Sequence, residues 1–212
     1  SASLALLPRL PDTGEEVRQI ARVLNVDPAG AVFLNAEANE QRVLATDYTG
    51  RRVVMFATHG LVPGDLDGLT QPALALTSPE VVPGAGDGLL SMEEILGLKL
   101  DADWVVLSAC NTAAAEEAGA EAVSGLGRAF FYAGARALLV SSWPVETVAA
   151  RMLMTELFRR QVAQPQLGKA EALRQSMLAL MDGPGYVDVK MGRTLYTYAH
   201  PLFWAPFVVI GD

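Results

Sequence analysis

The hydrophobic and polar positions of this chain follow two alternating periods, one typical of strands and one typical of helices. Apolar runs of strand length occupy 31–34, 52–58, 73–76, 104–109, 136–142 and 206–210. Amphipathic or apolar helical segments occupy 12–24, 39–47, 119–133, 146–162 and 168–180. Strands that alternate with helices predict right-handed crossovers and a parallel sheet covered on both faces. The pattern therefore predicts an α/β fold, a three-layer α-β-α sandwich with a mostly parallel central sheet.

Polar residues at the predicted helix starts support these boundaries. Asp12 and Asn39 are candidate N-caps, and Ser91 with Glu94 matches the capping box that opens a further short helix. The region 60–90 is rich in glycine and proline and is expected to form long loops around one short strand.

Composition and charge narrow the function class. The 212 residues are 51% hydrophobic and 19% charged, which favours one folded domain over 1–212. A net charge of −8 without a Lys/Arg cluster argues against nucleic acid and anionic membranes as partners. No apolar run reaches the roughly 18 residues that span a bilayer. A single cysteine fits a reducing, cytoplasmic compartment. Because the chain begins at Ser1 without methionine, we expect it to be a fragment or C-terminal domain of a longer protein.

Two reactive side chains follow two of the strongest apolar runs. His59 comes after 52–58, and Cys110, the only cysteine, comes after the run that begins at Trp104. Parallel strands end at one edge of a sheet, so the imidazole and the thiol are expected to meet there as a catalytic dyad. The histidine precedes the cysteine by 51 positions (110 − 59), close to the separation found in caspases.

A peptidase mechanism can be written on these residues. Cys110 attacks the peptide carbonyl, and the N–H groups of Gly60 and Cys110 form an oxyanion hole. His59 then protonates the leaving amine. His200 is expected to be structural. Neither a metal site nor a cofactor is expected, because no Cys-x-x-Cys, His-x-x-x-His, carboxylate cluster or Walker loop occurs in the sequence.

Several longer motifs resemble those of CHAT peptidases, which belong to the caspase- and separase-like clan CD. The similar segments are Phe56–Gly60, Asp87–Ser91, Val106–Thr112, Gly125–Arg136, Ser142–Val145 and His200–Val208. The resemblance implies a caspase-like fold, a His59/Cys110 dyad without a third carboxylate, and cleavage of one or a few protein targets. It also implies a regulated bacterial signalling or defence pathway and an N-terminal or separate regulatory region.

Substrate preference is inferred from the same resemblance. Ser108, two residues before the cysteine, is expected to line the S1 pocket, and the strand edge Ser141-Ser142-Trp143 is expected to pair with an extended peptide. Separase-like relatives use an acidic group beyond this strand to bind arginine or lysine. Glu146 is the candidate here, with the loop residues Asp65, Asp67 and Asp87 as substitutes. Glu146 is equally well explained as a carboxylate at a helix start.

Two alternatives stay open. The domain can be a catalytically silent caspase-like module that binds or regulates partner proteins. It can also be a non-proteolytic cysteine hydrolase on a doubly wound sheet, although Cys110 lacks the glycine-flanked elbow of such enzymes.

Overall fold

The computed structural model of this protein describes residues 4–108, 118–143, 145–188 and 190–211, without the side chains of 118–124. The helices are α1 (Thr13–Val23), α2 (Pro28–Ala31), α3 (Glu40–Ala45), α4 (Met92–Gly97), α5 (Ala118–Tyr132), α6 (Thr147–Ala163) and α7 (Lys169–Met181). The strands are β1 (Val53–Phe56), β2 (Gly60–Leu61), β3 (Ala73–Ala75), β4 (Leu89–Ser91), β5 (Trp104–Leu107), β6 (Ala137–Ser141), β7 (Tyr186–Asp188), β8 (Arg193–Tyr196) and β9 (Phe207–Gly211).

The central sheet has the strand order β1-β5-β6-β9. Strands β1, β5 and β6 are parallel, and β9 pairs antiparallel with β6. The carboxyl ends of the three parallel strands therefore lie at one edge, where open α/β sheets place their sites. The mixed α/β fold with a mostly parallel sheet is confirmed.

The two faces of this sheet carry separate hydrophobic clusters, because successive strand residues point to opposite sides. On β5, Val105 and Leu107 pack on one side, while Trp104 and Val106 pack on the other. The first side is covered by α4 and α5 and contains Ile95, Leu126, Phe130, Leu138 and Val140. The second side is covered by α1, α6 and α7 and contains Ile20, Leu139, Leu153, Leu157 and Leu173. This arrangement gives the three expected layers.

Charged residues connect the amino ends of the three parallel strands, at the edge opposite the candidate site. Asp103, just before β5, accepts hydrogen bonds from Arg52 at 2.5 Å and from Arg136 at 3.0 Å. Arg52 precedes β1 and Arg136 precedes β6, so one carboxylate links the starts of all three strands. Arg136 also pairs with Asp101 at 2.6 Å. These contacts reinforce the register that the buried apolar residues set.

The glycine- and proline-rich region after β1 is more ordered than its composition predicts. It forms an antiparallel sheet of order β2-β3-β4, in which β3 matches the expected strand at 73–76. The buried carboxylate of Glu40, at the start of α3, accepts hydrogen bonds from the main-chain N–H groups of Asp87 (2.7 Å) and Gly88 (3.1 Å). A side chain in another element therefore fixes the loop before β4.

Two local predictions are wrong. Residues 31–34 form no strand, because Asp27 caps a helical turn that begins at Pro28 and ends at Ala31. Asp12 does not cap α1 with its side chain, although the helix itself begins at Thr13 as expected. By contrast, Asn39 caps α3 and Ser91 forms the full capping box of α4. The hairpin β7–β8 was not anticipated.

Replacement of Gly134 by alanine tests how α5 is joined to β6. Gly134 has φ +111°, and a Cβ atom there would overlap the carbonyl oxygen of Leu100. We expect Gly134→Ala to lower the free energy of unfolding by about 2 to 4 kcal/mol, measured by denaturant titration. Gly97→Ala is the matched control, since its Cβ would meet no atom within 4 Å. Equal stabilities of the two variants would contradict this account of the turn.

Candidate active site

His59 lies just beyond the carboxyl end of β1, between that strand and β2. Its carbonyl oxygen accepts a hydrogen bond from the N–H of Ala75 at 2.8 Å. The hydroxyl of Thr58 donates to the carbonyl oxygen of Ala75 at 2.5 Å. The backbone of the histidine is therefore held against β3.

The imidazole ring is oriented by the N-terminal segment. Its Nε2 atom lies 2.7 Å from the carbonyl oxygen of Pro8. A carbonyl oxygen can only accept, so this contact requires that Nε2 carries a proton. In the neutral ring Nδ1 then holds the free lone pair. Nδ1 is thus the atom that can take a proton from a thiol.

The strand pairing next to His59 determines where the Gly60 N–H points. Because the Ala75 N–H bonds to the His59 carbonyl, Gly60 and Leu74 form a non-hydrogen-bonded pair of the antiparallel ladder. The N–H of Gly60 consequently faces away from β3. The β3 backbone therefore does not take up this N–H, and its role in an oxyanion hole stays a prediction.

Cys110 lies outside the described residues, but the strand before it is described. Phe56 and Leu107 are register partners at the ends of β1 and β5. The N–H of Ser108 donates to the carbonyl of Phe56 at 3.0 Å, which continues the pairing by one residue. His59 follows Phe56 by three positions, and Cys110 follows Leu107 by three positions. The two predicted catalytic residues therefore follow adjacent strand ends at the same level.

Ser108 is buried and faces α1. Its side chain, in a residue 8% exposed, donates to the Glu16 carboxylate, with Oγ 3.1 Å from Oε1 and 3.3 Å from Oε2. Glu16 itself is 4% exposed. Burial raises the pKa of Glu16 to about 7, and the Ser108 hydroxyl and the positive charge of Arg151 on α6 oppose that rise. The predicted S1 residue thus has a specific protein partner.

The strand edge expected to bind substrate is covered by β9. Ser141 is paired with Phe207 across the β6–β9 ladder. The N–H of Ser142 donates to the carbonyl of Pro206 at 2.9 Å. The C-terminal segment therefore takes up the Ser142 N–H that was expected to pair with a peptide, while Ser141 and Phe207 form a non-hydrogen-bonded pair and pairing of substrate at Ser141 and Trp143 stays a prediction. Trp143 is 37% exposed, and its indole N–H is 3.4 Å from the Leu202 carbonyl oxygen.

The proposed acidic groups have structural partners too. Both carboxylate oxygens of Glu146 accept N–H groups at the start of α6, Val148 at 3.0 Å and Ala149 at 2.8 Å. Its negative charge adds to the effect of burial in raising the pKa of Tyr198 to about 12. Asp87 is exposed, and its Oδ1 accepts the Leu89 N–H at 2.8 Å. Glu146 is a helix cap, and its role in P1 recognition stays a prediction.

His200 caps a short 3-10 helix at Pro201–Phe203. Its Nδ1 accepts the N–H of Leu202 at 3.1 Å. This contact gives the second histidine a structural role. Within the part of the chain that the structure describes, no three His, Cys, Asp or Glu side chains come close enough to hold a metal ion.

Two contributors to the site were missed in the sequence. Pro8 acts through its carbonyl group, which leaves no signal in side-chain chemistry. Glu16 is one of two acidic residues in the first turn of α1, where a carboxylate is ordinarily explained by the helix dipole alone. Its spacing of four positions before the buried Ile20 places it on the core-facing side of α1, and this was the available signal.

The sequence is similar to a known domain family. A family model described as CHAT domain matches residues 1–212. The chain belongs to the CHAT domain family. CHAT domains are caspase-like and related to clan CD cysteine peptidases.

The curated relatives are mammalian. Tetratricopeptide repeat protein 28 of Homo sapiens is 28% identical over 237 residues, covering 96% of this chain and 8% of the relative. The Mus musculus protein of the same name is 26% identical over 234 residues, covering 96% of this chain and 9% of the relative. The chain thus spans less than a tenth of the length of these relatives. Among the described residues of the CHAT domain, no helix has the length and apolar character needed to cross a membrane.

The buried carboxyl of Glu16 is expected to make stability depend on pH. Its pKa is about 7 in the folded domain against the ordinary value of 4.5 for a glutamate, so the neutral form is favoured by folding. The associated stability is present below pH 4.5 and is lost as pH rises to 7. Glu16→Gln should remove this part of the pH dependence, about 2 to 3 kcal/mol between pH 5 and pH 8. Urea unfolding at both pH values measures it.

The matched control for this comparison is Glu15→Gln on the same helix. The Glu15 side chain is 49% exposed and pairs with Arg22. This variant should keep the pH dependence of the unmodified domain. An unchanged pH dependence in Glu16→Gln would contradict the burial of a titrating carboxyl.

Proposed function

We propose that this CHAT domain is a cysteine endopeptidase that cleaves one or a few protein targets with a His59/Cys110 dyad. The observation that carries the proposal is the position and orientation of His59. His59 follows β1, and the carboxyl end of β1 is level with that of β5. Because its Nε2 atom donates to the Pro8 carbonyl oxygen, Nδ1 is the atom that can accept a proton. The family relationship to clan CD peptidases supports the same assignment.

The reaction proceeds in two halves. The Cys110 sulfur attacks the scissile carbonyl carbon, and His59 Nδ1 accepts the thiol proton. The N–H groups of Gly60 and Cys110 stabilise the oxyanion. The C–N bond then breaks as the imidazolium returns the proton to the leaving amine. Water, deprotonated by His59, attacks the thioester, and Cys110 leaves as the new carboxyl product forms.

For substrate class we propose cleavage after arginine or lysine. Glu146 is the proposed acidic group. Its carboxylate keeps a lone pair on each oxygen after capping α6, so it can still accept from a guanidinium or ammonium group. Trp143, three positions earlier in the chain, offers a partly exposed aromatic surface. Ser108, with its hydroxyl directed at Glu16, is a less suitable P1 contact than the sequence indicates.

Control by a protein partner is part of the proposal. The two mammalian relatives are named for tetratricopeptide repeats, and this supports regulation through protein interaction. A regulatory region, N-terminal or separate, is the proposed partner besides the protein substrate. The cytoplasmic location and the bacterial signalling or defence pathway remain predictions.

A binding module without catalysis is the second candidate function. The observation in its favour is the end of β6, where the Pro206 carbonyl accepts the Ser142 N–H, one of the main-chain groups expected to hold an extended substrate. In this alternative the caspase-like surface binds a partner without cleaving it. Peptide turnover separates the two functions.

Cleavage of a fluorogenic peptide library with varied P1 residues tests the proposal. We expect turnover with Arg or Lys at P1 and a loss of at least roughly 10³-fold in both Cys110→Ala and His59→Ala. His200→Ala is the matched control, since this histidine caps a turn, and it should retain activity. Turnover that survives in Cys110→Ala would exclude the dyad. The absence of turnover with every peptide, in the domain alone and with its regulatory region, would favour the binding module.

The Glu146→Gln variant tests the acidic group. Glutamine keeps one of the two oxygens that cap α6 but loses the negative charge, so recognition of a cationic side chain should suffer most. We expect KM for Arg and Lys peptides to rise at least about tenfold with little change in kcat. Glu93→Gln, which removes a charge from the exposed start of α4, is the control. Parallel losses for all P1 residues would instead indicate that Glu146 acts only as a helix cap.

A further inference from the structure

Glu16 is a buried carboxyl group that the proposed mechanism does not use. It lies on the inner side of α1, near the carboxyl end of β5, and its residue is 4% exposed. Burying a carboxyl costs free energy unless strong partners compensate. Both of its oxygens lie within hydrogen-bond distance of one hydroxyl, that of Ser108, which is 92 positions away in sequence. A contact that lowers stability and joins distant segments beside the end of β5 is best explained by function.

Ser108 is the residue through which such a contact can reach the site. Its main-chain N–H is bonded to Phe56 at the end of β1, and its hydroxyl is bonded to Glu16 on α1. Two residues later the chain reaches Cys110. With its backbone and side chain held by different elements, Ser108 has a fixed orientation. The orientation of Ser108, the last described residue before Cys110, is therefore set in part by Glu16.

The same N-terminal segment also holds the other half of the dyad. The Pro8 carbonyl bonds to the His59 ring, and Glu16 follows Pro8 by eight positions. Between them, the Thr13 hydroxyl donates to the Leu10 carbonyl at 2.7 Å. One short, internally bonded segment thus contacts both the histidine and the strand end that leads to the cysteine. Such a segment can keep the two groups in register.

Direct contact of Glu16 with a substrate is disfavoured by the geometry. Glu16 and Ser108 are 4% and 8% exposed, and each directs its polar group at the other. The charged group that acts on Glu16 from the helix packed against α1 is Arg151 of α6. These surroundings describe a closed internal contact. They do not describe an open pocket for a P1 side chain.

We propose that Glu16 is a positioning residue that acts through Ser108 to fix the carboxyl end of β5, from which the chain continues to the predicted nucleophile Cys110. The proposal rests on the proposed dyad, but it does not require that the domain cleaves peptides.

The charge state of Glu16 provides a specific signature. Burial raises the pKa of Glu16 to about 7, while the Ser108 hydroxyl and the positive charge of Arg151 favour the ionised carboxylate, so Glu16 becomes ionised within the neutral range. An ionised carboxylate is a stronger acceptor for the Ser108 hydroxyl than a neutral acid or amide. The positioning contact should therefore strengthen as pH rises from 6 to 8. Glutamine at this position keeps an acceptor oxygen but cannot ionise.

The test is the rate at which iodoacetamide alkylates Cys110, the only cysteine in the chain. The unmodified domain and Glu16→Gln should react at similar rates at pH 6. At pH 8 the unmodified domain should react about tenfold faster than Glu16→Gln, because the charged hydrogen bond then holds Ser108 at the end of β5. Glu15→Gln is the control and should follow the unmodified domain at both pH values. A ratio of rates that does not change with pH would overturn the proposal.

Variants of Ser108 complete the test. At pH 8, Ser108→Ala should lower the alkylation rate of Cys110 as much as Glu16→Gln does. Ser108→Thr keeps the hydroxyl and should keep the rate of the unmodified domain. The double variant Ser108→Ala with Glu16→Gln should lose no more than either single variant. Thermal unfolding of each variant shows whether it is folded. Additive losses would overturn the proposal, as would an unchanged rate in Ser108→Ala.

Peptide cleavage separates this proposal from the proposed function. A loss in kcat of Glu16→Gln that is equal for all P1 residues supports the positioning role. A rise in KM confined to Arg and Lys peptides would show that Glu16 contacts the substrate, and this would overturn the proposal. If no peptide is cleaved while alkylation still depends on Glu16 and Ser108, the positioning role stands and the peptidase assignment fails.

Discussion

The level ends of β1 and β5 are the constraint on which the candidate site depends. Phe56 and Leu107 are partners in a parallel register, and the Ser108 N–H extends that pairing beyond the strands. A shift of two residues in either strand would keep its side chains on the same faces and still offset His59 from the carboxyl end of β5. The register is held by the hydrophobic clusters on both faces and by Asp103, which connects the starts of three strands. The geometry of the site therefore follows from the packing of the sheet.

The N-terminal segment adds polar contacts that the core itself does not need. A carbonyl at Pro8 orients one ring, and a buried carboxyl at Glu16 binds one hydroxyl. The second of these contacts is unfavourable for folding at neutral pH, since the carboxyl is more easily ionised in the unfolded chain. Proteins tolerate such local costs where a side chain must be held for function. In a caspase-like domain, both contacts lie where the reacting groups are expected.

Much of this architecture could be predicted from the sequence because its signals are local. The alternation of apolar strands with helices gave the layers, and Asn39 and Ser91 cap the helices that follow them. The failures involve interactions between distant segments. The β6 edge looks open in the sequence, yet β9 covers it through pairing with Phe207, some 66 positions beyond Ser141 (207 − 141). The partner of Ser108 is similarly distant, and the role of Pro8 belongs to its backbone. Residues 31–34 have strand-like composition, but Asp27 and Pro28 impose a helical turn first.

The most direct test of the central claim is the pKa of the Cys110 thiol, followed by thiolate ultraviolet absorbance in the chain that has this single cysteine. If His59 faces the thiol, the pKa should lie below the usual value of about 8.5 and return to about 8.5 in His59→Ala. The same thiol pKa in both proteins would show that the histidine and the cysteine do not meet, and the dyad would have to be abandoned.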